Sequence, residues 1–202
     1  MYIPHMFRFD NQPELVAFMK QYSFASFVTT ADQLPVATHL PFLVEEREGN
    51  VWLRSHLAKI NEQAAQLNNT TALVIFSGPH AYISPEHYNK WESVPTWDYI
   101  AVHAYGQVTV IEDEAGKAAL LEQTISFYEA AYQQRWDSLP EKYKTGMMQG
   151  LVAFEMEITK LQGAKKLSQN KTTGERERIA TQLEASADNM EQALGKAIRN
   201  LP

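Results

Sequence analysis

Apolar and polar residues change period several times along the chain, and each change marks an element. Pro13 to Gln21 sets Leu15, Phe18 and Met19 at helical spacing behind Asp10 or Asn11, either of which can cap a first turn, so a short helix opens the chain. Phe24 to Thr30 is rich in β-formers, and Ala31-Asp32-Gln33 turns it into a second run, Leu34 to Glu45, as a hairpin. After a charged turn at Glu46 to Asn50, a third strand begins at Val51-Trp52-Leu53 and is expected to end near Ser55. Leu57, Ile60, Ala64 and Leu67 recur at helical intervals, which predicts a helix starting within Ser55 to Lys59.

Thr70 to Phe76 reads as a buried strand broken by Ser77-Gly78-Pro79, with Ala81 to Ser84 resuming an extended course. Glu86 to Pro95 mixes aromatic and polar residues without a clean period, as a functional or dimer-contact loop would. Trp97 to Ile111 alternates as a long strand with Gly106 as a candidate bulge, and Glu114 to Tyr132 and Pro140 to Met148 are helical. Leu151 to Leu161 is the last long strand, with Leu151, Ala153 or Val152, Phe154, Met156 and Ile158 facing the core. Gly174 to Asn200 reads as two polar, Ala- and Glu-rich helices broken near Ser186.

This order predicts an α+β fold: a closed or split β-barrel with peripheral helices and a C-terminal helical extension, divided as residues 1–172 and 173–202. A doubly wound α/β sheet fits less well, because helices do not alternate with strands and no Gly-rich strand-to-helix turn occurs.

Composition narrows the chemistry. With no cysteine among 202 residues, disulfides, thiolate metal sites, iron–sulfur clusters and cysteine nucleophiles are excluded. The start of the chain lacks the basic and apolar regions of a signal peptide, and no run approaches the ~18 apolar residues of a membrane span, so cytoplasm is the expected location and no membrane partner is expected. A net charge of -6 repels polyanions, and no helix-turn-helix signature is present, so direct DNA binding has little support in the residues.

The six histidines show neither HxH nor HxxxH spacing, so no metal site is expected. Gly-x-Ser-x-Gly, GxGxxG and Walker-type loops are all missing. Two polar clusters stand out. Ser55, His56 and Lys59 offer a hydroxyl, an imidazole and an ammonium at the predicted helix start, where free backbone N–H groups could cradle an anion; an N-cap serine beside a solvated lysine is the plainer account. Lys165 to Lys171 is a donor-rich basic patch in an acidic protein, or a solvated charge run. Tyr82, Tyr88, Trp91, Trp97 and Tyr99 could wall a planar ligand, or serve as core or dimer contacts.

Five ordered blocks carry a family resemblance: Ala37-Thr38-His39-Leu40-Pro41; the His56-x-Ala58-Lys59-x-Asn61-x-Gln63 pattern; Gly78-Pro79-His80-Ala81-Tyr82-Ile83-Ser84-Pro85; Val94-Pro95-Thr96-Trp97-Asp98-Tyr99; and Lys166-Leu167-Ser168-Gln169-Asn170. With the opening Met1-Tyr2-Ile3-Pro4, they make the chain resemble the PaiB-like FMN-binding negative transcriptional regulators over residues 1 to about 171. The resemblance implies a split barrel that binds FMN non-covalently at a homodimer interface. It implies that the FMN phosphate meets Ser55, His56 and Lys59, with Lys59 standing where the family often shows arginine and acting as a point charge. It places Thr38 and His39 along the isoalloxazine edge and Trp97 beside the rings, with Lys166, Ser168, Gln169 and Asn170 closing the site from the same or the second subunit.

Transcriptional regulation follows from the family's name. The competing class is an FMN-dependent oxidoreductase using NAD(P)H, as in pyridoxamine-phosphate-oxidase-like relatives; no residue announces itself as a general acid or base, so enzymatic activity stays open. A third is a haem-binding split barrel using one of the histidines.

Overall fold

The computed structural model describes residues 1–201. Its strands are β1 (Arg8–Phe9), β2 (Phe24–Ala31), β3 (Leu34–Pro41), β4 (Leu43–Arg47), β5 (Asn50–Ala58), β6 (Thr71–Ile83), β7 (Thr96–Ile111) and β8 (Leu151–Lys166). The helices are α1 (Gln12–Gln21), α2 (Glu114–Glu129), α3 (Gln133–Ser138), α4 (Glu141–Gln149), α5 (Thr173–Glu184) and α6 (Asn189–Arg199). The eight strands form one sheet, ordered β3-β2-β6-β7-β8-β5-β4 with β1 on β8, so the α+β expectation holds. The chain divides into two compact units, through both of which β6, β7 and β8 continue.

The first unit comprises residues 19–75 and 104–161. Two tight hairpins set its register. Ala31 pairs with Leu34 across Asp32 and Gln33, both at positive φ, and Arg47 pairs with Asn50 across Glu48 and Gly49, also both at positive φ; this twist matches that of the flanking strands. Along β2, Ala25, Phe27 and Thr29 turn inward at period two, and the Phe27 ring meets Phe154 of β8 with centroids 5.0 Å apart. Phe42 completes the aromatic cluster, and Leu43, Leu120 and Ala153 continue the core under α2. On β8, Ala153, Phe154 and Met156 are buried, while Leu151, Val152 and Ile158 are half-buried.

Several expectations need correction in this unit. Leu34 to Glu45 is two strands at opposite ends of the sheet order, because the chain breaks at Phe42, whose N–H donates to Ser23 O. No helix begins at Ser55: β5 runs through Ser55, His56 and Leu57 to Ala58, pairing with β8 down to Leu151. The apparent helical period failed because Ile60 is 97% exposed, while Leu53, Ser55 and Leu57 turn inward at strand spacing. A five-residue 3-10 turn at Glu62–Gln66 follows, capped by the Asn61 side chain accepting from Gln63 N–H. Gly106 supports a close approach of β7 to β8, where an added Cβ would lie 2.1 Å from Glu157 O. The short helix α3 was not foreseen.

The second unit comprises residues 1–18, 76–103 and 162–201. Here β6 is continuous through Ser77-Gly78-Pro79, where a break was expected. Pro79 lies beyond the three β6 residues paired with β2, so its missing N–H costs that ladder nothing, and Gly78 leaves room for the Phe18 ring. Asn11 caps α1 by accepting from Glu14 N–H at 3.0 Å. Gly163 admits Phe9 and Leu15 against β8. The helices α5 and α6 bury Ile179, Leu183, Leu194 and Ile198. A capping box between Thr172 and Glu175 starts α5, and the Glu175 carboxylate also accepts from Asn89 N–H, which holds its pKa down at about 2. Arg178 donates to His87 O and Asn89 Oδ1, so α5 is tied to the loop after β6.

Candidate functional site

In the first unit, the expected site residues lie on β3, β5 and the turn after β5. Thr38 and His39 sit on β3, a strand with a partner on one side in the sheet order. The Thr38 hydroxyl donates to Gln63 Oε1 and accepts from Asn61 Nδ2 at 3.0 Å. Gln63, 4% exposed, also donates to Thr29 Oγ1 at 2.9 Å and to Val36 O at 3.2 Å. This network ties the turn after β5 to β2 and β3. His39 is exposed, with Nδ1 3.1 Å from Ser26 Oγ.

Ser55 is buried, and its hydroxyl donates to Pro41 O at 2.7 Å, tying β5 to the end of β3. Burial pushes the His56 imidazole below its ordinary pKa, so it is neutral near pH 7. Lys59 leaves the strand exposed, and its N–H is anchored to Gly150 O at 2.9 Å. The cradle of helix N–H groups expected around Ser55 to Lys59 is therefore absent; the donors are side chains at a strand end and a tight turn. Asn61 and Gln63, which follow His56 and Lys59 in the same sequence pattern, join the site only through the turn after β5. Their spacing around Thr38's partner could not be read without the β5 turn.

In the second unit, Trp97, Lys166, Ser168, Gln169 and Asn170 gather where β7 begins and β8 ends. Lys166 Nζ donates to Trp97 O at 2.7 Å and to Thr96 Oγ1. Gln169 folds back, its Oε1 accepting from Leu167 N–H at 2.8 Å and its Nε2 donating to Lys165 O. Ser168 is buried at φ 58°, with Oγ 2.6 Å from Asp98 Oδ2, while Asn170 is exposed. Asp98 is fully buried, and burial raises its carboxyl above the ordinary range against the lowering effects of Ser168, Lys166 and Lys171. Asp98 lies within the Thr96-Trp97-Asp98-Tyr99 stretch, and the structure places it under the basic segment.

The outer face of β6 and β7 in this unit is aromatic. His80 stacks on Trp97 with centroids 5.9 Å apart, Tyr82 meets Trp97 edge-on, and Trp97 is 51% exposed. Ser77, Gly78, His80, Trp97, Tyr99 and Ile100 line an open hollow of about 350 Å³. Among the described residues no group of three or more His, Asp or Glu side chains could hold a metal ion. Among the described residues no helix is long and apolar enough to cross a membrane.

Phosphate needs an ammonium and N–H or O–H donors, and a flavin ring needs donors along its edge with flat apolar cover. The first unit by itself offers the Lys59 ammonium, the His56 imidazole and edge-lining groups on β3, and the second by itself offers aromatic cover and further donors, so the residues present in each fit a part of FMN. The fold is that of flavin-binding split-barrel proteins. It is similar to the flavocytochrome Anf3 of Azotobacter vinelandii, at TM-score 0.63 and 17% identity over 80% of this chain and 70% of that one. It is similar also to an FAD and heme binding protein of Mycobacterium smegmatis, at TM-score 0.58 and 17% identity over 79% and 73% of the two chains. Residues 1–160 match the family described as "Putative FMN-binding domain", and the chain belongs to it: this is an FMN-binding split-barrel protein. It is 35% identical over 190 residues to the "Protease synthase and sporulation protein PAI 2" of Bacillus subtilis, covering 91% of this chain and 89% of that protein.

Proposed function

We propose that the protein is a regulatory flavoprotein of the PaiB type, acting as a homodimer whose FMN is gripped at the phosphate by Lys59 and His56 and bordered by Thr38 and His39. The observation that carries this reading is the hydrogen-bonded platform of Thr38, Asn61, Gln63 and Thr29, which fixes the β3 residues and the turn after Lys59 while leaving Lys59 and His39 exposed. Ser55, spent on Pro41 O, steadies the strand that presents His56 and Lys59. Trp97, Lys166, Ser168, Gln169 and Asn170 close the flavin site of the partner subunit. The exposed Tyr82 and Trp97 support burial of this face in a dimer. Bound FMN would supply hydride or electron chemistry, which no side chain here provides.

Regulation is supported by the name of the Bacillus relative, a protease synthase and sporulation protein. The net charge of -6 favours an indirect route over direct contact with DNA.

Replacing Lys59 tests the phosphate assignment. Charge-assisted hydrogen bonds contribute roughly 1.5–3 kcal/mol each, so Lys59→Ala should weaken FMN by about ten-fold or more while barely changing riboflavin. Equal loss for both ligands, or none, refutes the assignment. Sedimentation of the FMN-loaded protein should give a dimer, and a gel shift with upstream DNA at physiological salt should show no complex.

A further inference from the structure

Asp98 is the third residue of β7, the first of its inward-facing positions, and is 0% exposed. A carboxylate so placed is costly unless its oxygens find partners. One does: Ser168 Oγ lies 2.6 Å from Oδ2. The other, Oδ1, is buried with no hydrogen-bond partner among the described residues, and the nearest cation is Lys166 Nζ at 3.8 Å. The hydrogen-bond partner and the ion-pair partner of this core carboxylate thus belong to one short segment, residues 166–168, while Lys171 and Tyr88 act on it only through their charge or its own. Lys166 is pinned by Thr96 and the carbonyl of Trp97, the two residues preceding Asp98. Ser168 holds a left-handed φ of 58°, uncommon for a residue with a side chain, and does so while buried rather than in an exposed hairpin turn. Leu167, between them, is 2% exposed and anchors the segment from the apolar side.

We infer that Asp98 is the positioning residue of the basic segment: a buried carboxylate that latches the Ser168 turn through one oxygen and sets the Lys166 ammonium through the other, so that residues 166–170 meet the flavin preformed. This rests on the reading that those residues border FMN. Asp98 itself is shut away from any ligand and acts only through Ser168 and Lys166. A segment ordered in advance loses less on binding, so the latch shows as affinity.

Asn has nearly the volume of Asp, so Asp98→Asn keeps the packing of β7 while removing the charge and putting donors where the ammonium needs an acceptor. Ser168→Gly cuts the latch from its other end without touching the core strand, and glycine accepts the left-handed backbone. The full-length protein and these variants are titrated with FMN, following quenching of flavin fluorescence and the absorption envelope of the bound flavin, alongside Lys166→Ala and the Asp98→Asn/Lys166→Ala double variant.

The latch predicts that Asp98→Asn and Ser168→Gly each weaken FMN by roughly ten-fold and alter the bound-flavin spectrum in the same sense as Lys166→Ala. It also predicts that Asp98→Asn adds less than about three-fold once Lys166 is gone. Should Lys166→Ala weaken FMN while Asp98→Asn and Ser168→Gly bind as wild type, the latch is wrong and the segment's place at the flavin stands. Fully multiplying effects in the double variant also overturn it. If Lys166→Ala itself leaves affinity and spectrum unchanged, the flavin-site reading fails and takes the latch with it. Where Asp98→Asn does not fold, Ser168→Gly decides.

Discussion

Gln63 is the most connected side chain of the candidate flavin platform, and its removal has a calculable cost. Its amide makes three side-chain hydrogen bonds, to Thr29 Oγ1, Val36 O and the Thr38 hydroxyl, from a position 4% exposed. At about 1 kcal/mol net per bond, Gln63→Ala should destabilise the fold by about 3 kcal/mol. For a chain of this size that corresponds to a fall of roughly 6–12 °C in melting temperature. Gln66, three residues on in the same turn, is exposed and provides the control: Gln66→Ala should stay within about 0.5 kcal/mol. Denaturant unfolding followed by tryptophan fluorescence measures both.

Gln63→Glu sharpens the test. The carboxyl keeps its acceptors but loses the donors facing Thr29 and Val36, and burial raises its pKa in the folded state. The folded protein then binds more protons than the unfolded one, so the variant should gain stability as the pH falls through the carboxyl range and lose it as the pH rises. At 20 °C, where both variants remain folded, Gln63→Ala should also weaken FMN about five-fold, since Thr38 and the turn after Lys59 lose their brace. A Gln63→Ala protein as stable as wild type would refute the claim that this network holds the site.

Two further perturbations follow from close contacts and buried charge. Gly106→Ala puts a Cβ 2.1 Å from Glu157 O, a backbone atom that cannot swing away, and should cost about 3 kcal/mol or more in denaturant unfolding; a loss under 1 kcal/mol would mean the strands separate readily there. His56 has its folded pKa depressed by burial, so the unfolded chain binds the extra proton: stability is full above the unfolded value near 6.5 and falls as pH drops below it, and His56→Gln should flatten that slope between pH 5 and about 6.5.

Alternation and turn chemistry were legible wherever one face of a strand met the core. Ala25, Phe27 and Thr29 alternate cleanly, and Asp32-Gln33 and Glu48-Gly49 stand at the hairpin turns. The reading failed where apolar residues sat on the surface or polar ones inside. Ile60, almost fully exposed, lent Leu57 to Leu67 a helical period that β5 and a 3-10 turn do not share. Gly78-Pro79 looked like a stop because local propensity cannot see that Gly78 makes room for Phe18.

At the site, residue types in the resembling blocks marked Thr38, His39, Lys59 and Lys166. They could not reveal that Gln63 and Asp98, both buried, organise those neighbours. A buried polar residue owes its role to partners far along the chain: 25 residues from Gln63 to Thr38 and 70 from Asp98 to Ser168.

The two clusters differ in how solvent reaches their charges, and this separates their contributions to FMN binding. Lys59 is exposed, so its attraction for a phosphate is screened by salt over a Debye length of roughly 8–10 Å at physiological ionic strength. Lys166 is one-quarter exposed, sits 3.8 Å from a fully buried carboxylate and donates to Thr96 and to the Trp97 carbonyl, so added ions reach it poorly and its net charge is already offset. Wild-type affinity for FMN should therefore fall as sodium chloride is raised from 50 to 500 mM. Lys59→Ala should flatten that dependence, whereas Lys166→Ala should lower affinity at every salt concentration and leave the slope unchanged. Titrations of the three proteins across the series decide the matter, and a Lys59→Ala protein that keeps the wild-type salt slope would show that the phosphate is held elsewhere.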